Sequence, residues 1–120
     1  MPLLSNIAVS VLATEHVYIM VLEMFLWTTP RGLKAFGLKK DFAEKTKTLA
    51  ANQGLYNGFL AAGLAWSLIH PVPETGKQLS LFFSSCVLVA GIYGGATANK
   101  KILFVQGVPA TAAIAAVLFA

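Results

Sequence analysis

Residues 3–27, LLSNIAVSVLATEHVYIMVLEMFLW, decide how this chain is read. The run is apolar for longer than the roughly 20 residues a helix needs to cross a bilayer, yet it carries Glu15, His16 and Glu23. An ionisable group at mid-membrane costs roughly 2.5–3.5 kcal/mol on insertion scales, so it persists where it meets a partner, water or a substrate. The stretch therefore predicts a membrane helix and marks the first place to look for function.

Outward from it, three more apolar stretches follow, at about 48–69, 79–97 and 102–120. With 57% hydrophobic and 12% charged residues over 120 positions, little chain remains for a soluble domain. Soluble domains are usually nearer 45–50% apolar. The expectation is an all-α membrane protein: one domain over residues 1–120, four transmembrane helices packed as a compact bundle. Residues 1–6 lack Lys and Arg and the apolar run is long, so the first segment is read as a retained span rather than a cleaved signal. Cys86 is the single cysteine and lies inside the third stretch, where a thiol behaves as a small hydrophobe.

The net charge of +4 is explained by placement rather than by nucleic acid. Arg31, Lys34, Lys39, Lys40, Lys45 and Lys47 fall in the loop 28–47, Lys100 and Lys101 in the third loop, and Lys77 in the second. Alternate loops face opposite sides, and the positive-inside rule makes the lysine-rich side cytoplasmic. Both termini are then expected outside, in a multi-pass protein of the cell inner membrane, with anionic lipid headgroups as partners.

Thr28-Thr29-Pro30-Arg31-Gly32 is expected to stop the first helix, because the residue before proline avoids helical geometry. The following 33–47 reads either as a short amphipathic helix on the membrane surface or as an irregular charged loop, with Gly37 interrupting the pattern. His70-Pro71-Val72-Pro73 marks a firm exit into an external turn ending near Gly76, His70 reading as a polar boundary residue. Two GxxxG spacings, Gly54 with Gly58 and Gly91 with Gly95, predict close helix contacts, Ala50, Ala62 and Ala65 roughly extending the first. The same stripe suits a homodimer.

Polar groups recur at one depth. His16 and Glu23, seven apart, share a helix face with Met20 and Trp27, and Glu15 lies a quarter-turn away. Asn52, Gln53, Tyr56 and Asn57 cluster in the second stretch, Tyr93 lies near the inner end of the third and Gln106 near the start of the fourth. Pro109, which cannot donate a backbone hydrogen bond, frees a carbonyl near Val105 and predicts a kink at the same level. Side chains of this kind facing lipid would lose their bonds to water, so they are expected to meet inside the bundle. Amides also glue membrane helices, for about 0.6 kcal/mol per bond on average; helix gluing does not require Glu and His. Two histidines without an ExxH repeat do not suggest a metal, and no motif calls for another cofactor.

Glu15-His16, Leu22-Glu23-Met24-Phe25, residues 52–61 (NQGLYNGFLA), Ala90-Gly91-Ile92-Tyr93-Gly94 and Gln106-Gly107-Val108-Pro109-Ala110 together resemble the small bacterial membrane proteins of domain of unknown function 1304. The resemblance covers nearly the whole chain. It implies four spans and lends weight to the same polar positions, and it implies no activity. Three functions compete on the residues alone. In a proton-coupled transporter or exporter of a small lipophilic or cationic solute, Glu15 and His16 would exchange protons, and four spans would call for a dimer. In a membrane isomerase or hydratase acting on a lipid-like substrate, Glu23 or His16 would be general acid or base, with Asn52, Gln53, Tyr56, Asn57, Tyr93 and Gln106 orienting the substrate. In a binding or accessory protein, the same layer would hold a quinone, a lipid or a helix without chemistry.

Overall fold

The computed structural model describes residues 2–120, which are all-helical, with no strand among them. Helix α1 is Leu3–Phe25, α2 is Pro30–Phe36, α3 is Lys40–Ile69 and α4 is Pro73–Thr97. The last helix, α5, runs Lys100–Leu118 and is interrupted by a π-helical segment, Leu103–Gly107. Helices α1, α4 and α5 are long and apolar enough to cross a membrane. Helix α3 is the longest but does not reach the same apolarity, so three of the four expected spans stand by length and composition. The cause lies in its sequence. Its first two turns hold Lys40, Asp41, Glu44, Lys45 and Lys47, and Asn52, Gln53 and Asn57 follow.

Helix boundaries also depart from expectation. The segment 33–47 is neither one amphipathic helix nor a loop. Pro30 occupies the first turn of α2, where its missing N–H costs nothing, and Thr29 caps that helix by accepting the Gly32 N–H at 3.4 Å. Gly37 ends α2 in the left-handed region at φ 64°, and the Leu38 N–H reaches back to the Leu33 carbonyl at 2.9 Å. That is a Schellman ending, which suits glycine because a Cβ strains this geometry. Lys40 onward already belongs to α3. At the other end α4 restarts at Pro73, so Gly76 lies inside a helix rather than closing a turn.

The chain divides into two compact units. One joins the chain up to Thr14 with Leu60–Ala120. Its core is Val9 and Leu12 from α1, Leu64 from α3, Val87 from α4, and Ala110, Ala113 and Val117 from α5. Within it α4 meets the π segment through its glycines: a Cβ on Gly91 would stand 2.9 Å from the Gly107 nitrogen, and one on Gly95 2.7 Å from the Leu103 Cβ. The π segment ends just before Val108-Pro109, at the level where the proline withdraws an N–H from the ladder. The kink expected there is thus a widened turn, and the Thr111 hydroxyl donates to the Gly107 carbonyl at 2.8 Å.

The second unit is Glu15–Phe59. It contains the later half of α1, all of α2 and the first half of α3. Gly32 is buried so tightly under the end of α1 that a Cβ there would collide with the Leu26 carbonyl oxygen. Trp27 packs its ring on Phe36, centroids 4.8 Å apart, and donates its indole N–H to the Thr46 hydroxyl at 3.1 Å. It is therefore a packed residue rather than a lipid-facing one. Lys40 Nζ closes the same end by donating to the Thr28 carbonyl at 3.2 Å.

Candidate functional site

On α1 the residues Ser5, Val9, Leu12, His16 and Glu23 are all buried, at 0, 0, 0, 0 and 2% exposure. They follow the three- and four-residue steps of a helical seam, so His16 and Glu23 take positions that Val and Leu hold earlier in the same helix. The question is what accepts two polar groups in a seam of this kind.

For Glu23 the answer is α3. Gln53 donates its side-chain N–H to Glu23 Oε2 at 2.9 Å and Asn57 donates to Oε1 at 2.5 Å, so each carboxyl oxygen holds one amide donor. The two amides are four apart on α3 and therefore point the same way. Gly54, next to Gln53, brings the helices close enough. A Cβ there would stand 3.0 Å from the Glu23 Cβ and 3.1 Å from the Met20 carbonyl. Gly58 one turn on receives the Met20 thioether, whose sulfur would lie 2.7 Å from an added Cβ. The small-residue stripe of α3 thus runs through buried Ala50, Gly54 and half-buried Gly58, while Ala62 and Ala65 face outward, contrary to expectation.

Glu15 and His16 form a second, looser pair. His16 Nδ1 lies 3.8 Å from Glu15 Oε1, a charge-pairing distance beyond hydrogen-bond reach. Glu15 Oε1 is buried and accepts no hydrogen bond among the described residues, although the side chain as a whole is 23% exposed. One carboxylate is therefore braced by two donors, and the other carries an open acceptor beside an imidazole. A braced carboxylate resists change; an open one can take a proton or a cation with less rearrangement.

Of the residues expected in one polar layer, the structure brings together Glu23, Gln53 and Asn57, and separately Glu15 and His16. Asn52 is exposed, and Tyr56, 63% exposed, stacks on Phe59 at 5.9 Å between centroids. Tyr93 and Gln106 belong to the other unit, Tyr93 at 71% exposure on α4 and Gln106 half-buried in the π segment. Sequence spacing grouped Asn52 and Tyr56 with Gln53 and Asn57; the signal that separates them is Gly54, which marks the face turned to α1. Met20 was visible on the seam of His16 and Glu23, whereas its seat on Gly58 was not. Thr46, the acceptor for Trp27, carried no sequence signal.

These features define a class, an all-helical protein with three helices fit to cross a membrane and a braced carboxylate on one of them. More particularly, the chain belongs to the family described as Protein of unknown function (DUF1304), which matches residues 10–118. It is similar to the uncharacterized protein YpaA of Lactococcus lactis subsp. lactis (strain IL1403), 34% identical over 109 residues that cover 89% of this chain and 90% of that protein. No solved structure matches it.

Proposed function

We propose that the protein is a multi-pass inner-membrane transporter or exporter that exchanges protons for a small lipophilic or cationic solute. The observation that carries this reading is the open Glu15 Oε1, buried without a hydrogen bond among the described residues and 3.8 Å from His16 Nδ1. Glu15 is the exchange group, His16 its proton partner, and Glu23 with Gln53 and Asn57 the brace that fixes α1 against the first half of α3. Because both Glu23 oxygens already hold amide donors, Glu23 is poorly placed as the general acid or base of a membrane isomerase or hydratase.

In this reading α3 is the fourth crossing. From Lys47 to Ile69 it rises about 33 Å at 1.5 Å per residue, enough for a hydrocarbon core of about 30 Å. Two of the amides that lower its apolarity are spent on Glu23. The lysine-rich side is cytoplasmic and in contact with anionic lipid, with both termini outside. Asn52 and Tyr56 on the outer face of α3 are then exposed polar groups available to the solute, and Tyr93 on α4 is an exposed one available to a second copy of the chain.

The test is proton movement in proteoliposomes holding a pH-sensitive dye, driven by a gradient of a lipophilic cation. Wild-type protein is expected to couple the two, and Glu15→Gln to lose coupling by tenfold or more. Undiminished flux in Glu15→Gln would leave the binding or accessory reading in its place.

A further inference from the structure

The turn between α3 and α4 is closed by a side chain that can change its charge. Val72 donates its backbone N–H to His70 Nδ1 at 3.0 Å. A peptide nitrogen can only donate, so Nδ1 must accept, and it can do so only when it carries no proton. Val72 is also the N-cap of α4, in extended geometry, and its own side chain offers the helix no bond. Its carbonyl accepts the Gly76 N–H at 3.0 Å, closing the first turn. The imidazole thus fixes the residue from which α4 starts. Gly76 allows the close seat, since a Cβ there would stand 2.8 Å from the Ser67 carbonyl oxygen and 3.9 Å from the His70 Cβ.

The same turn borders a recess of about 200 Å³ lined by Pro2, Pro73, Glu74, Lys77, Val117 and Ala120. Three of these residues belong to the first turns of α4, so the recess inherits its shape from the turn that His70 holds.

We propose that His70 is a proton-operated latch: neutral, it holds Val72 and the start of α4 in place; protonated, it releases them and remodels the recess. Histidine is the side chain whose charge ordinarily changes between pH 5 and 8. Protonation at Nδ1 sets two donors face to face and leaves the Val72 N–H without its acceptor. The charged side chains nearest the turn in sequence are Glu74 and Lys77, of opposite sign. Leu60 to Ile69 on α3, Val108–Leu118 and the chain from Leu3 to Thr14 contribute no ionisable side chain to this unit. This latch goes beyond the transport reading and does not depend on it.

The test uses the full chain in nanodiscs, in a Trp27→Phe background that leaves Trp66 as the reporter. The Trp66 and His70 rings lie 6.0 Å apart, so a cationic imidazole quenches the indole. Between pH 8 and pH 5 the Trp66 emission is expected to fall, and the protection of the Val72 amide against hydrogen exchange, relative to an unstructured peptide, to drop about fivefold, as for loss of one hydrogen bond. In His70→Asn the carboxamide oxygen stands in for Nδ1 without titrating, and protection should stay high at both pH values. His70→Ala should be low at both. The latch is overturned if Trp66 emission does not change, if it falls while Val72 protection holds, or if His70→Asn loses protection as the wild type does.

Discussion

Two pairs of glycines at the same spacing, Gly54 with Gly58 and Gly91 with Gly95, do different work in the two compact units. On α3, Gly54 and Gly58 face mainly side chains of α1, the Met20 thioether, the Met24 side chain and the root of Glu23, with the Met20 carbonyl 3.1 Å from a Gly54 Cβ. On α4, Gly91 faces backbone, the Gly107 nitrogen, and Gly95 faces the Leu103 Cβ beside its backbone. The first contact admits a carboxylate and two amides; the second is a backbone approach onto a π turn. Identical spacing therefore states that helices come close, and leaves what they enclose to the opposite partner. Backbone cannot yield to an added methyl, whereas a methionine can rotate away.

This difference is open to breakage. Gly91→Ala should lower stability by about 1–3 kcal/mol, because its Cβ would press on the Gly107 backbone. Gly58→Ala, pressing on a flexible sulfur, should cost under about 1 kcal/mol, read as thermal midpoints in the same micelles. Equal losses at the two positions would erase the distinction. Next in size, a double-mutant cycle of Glu23→Gln with Asn57→Leu should show a coupling between about 0.6 and 1.7 kcal/mol, the range found for polar pairs between membrane helices. Additive losses would mean that the amide does not brace the carboxylate. The smallest effect is expected at the far end of the same unit, where Trp27→Phe removes the bond to Thr46 and should cost about 0.5–1.5 kcal/mol, unless Phe36 packing alone holds that end.

The fold is legible in the sequence where physical cost is high and local. The exit at His70-Pro71 and the disturbance ahead of Pro109 follow from single residues whose chemistry limits the backbone, whereas α1 already ends at Phe25 and Pro30 opens α2 instead of stopping α1. The start of α3 is not legible, because Lys40 to Lys47 forms helix readily and hydropathy marks only the part suited to lipid. Residues 33–47 read as one segment, although Gly37 in left-handed geometry divides them. For the site, Glu23 with Gln53 and Asn57 was legible as part of a larger layer. Which amides reach Glu23 was not, because a helix with polar groups on several sides does not state which of them meets a neighbour. The contrast between an open Glu15 and a braced Glu23 depends on distances that no spacing encodes.

That contrast is the centre of the account, and it is tested most directly by measuring solute-driven proton flux for Glu15→Gln and Glu23→Gln side by side, each alongside its melting temperature. The account predicts that Glu15→Gln loses coupled flux while melting as the wild type does, and that Glu23→Gln melts lower because one of its two amide donors loses an acceptor. Coupled flux retained in Glu15→Gln but lost in a Glu23→Gln protein of wild-type stability would contradict it.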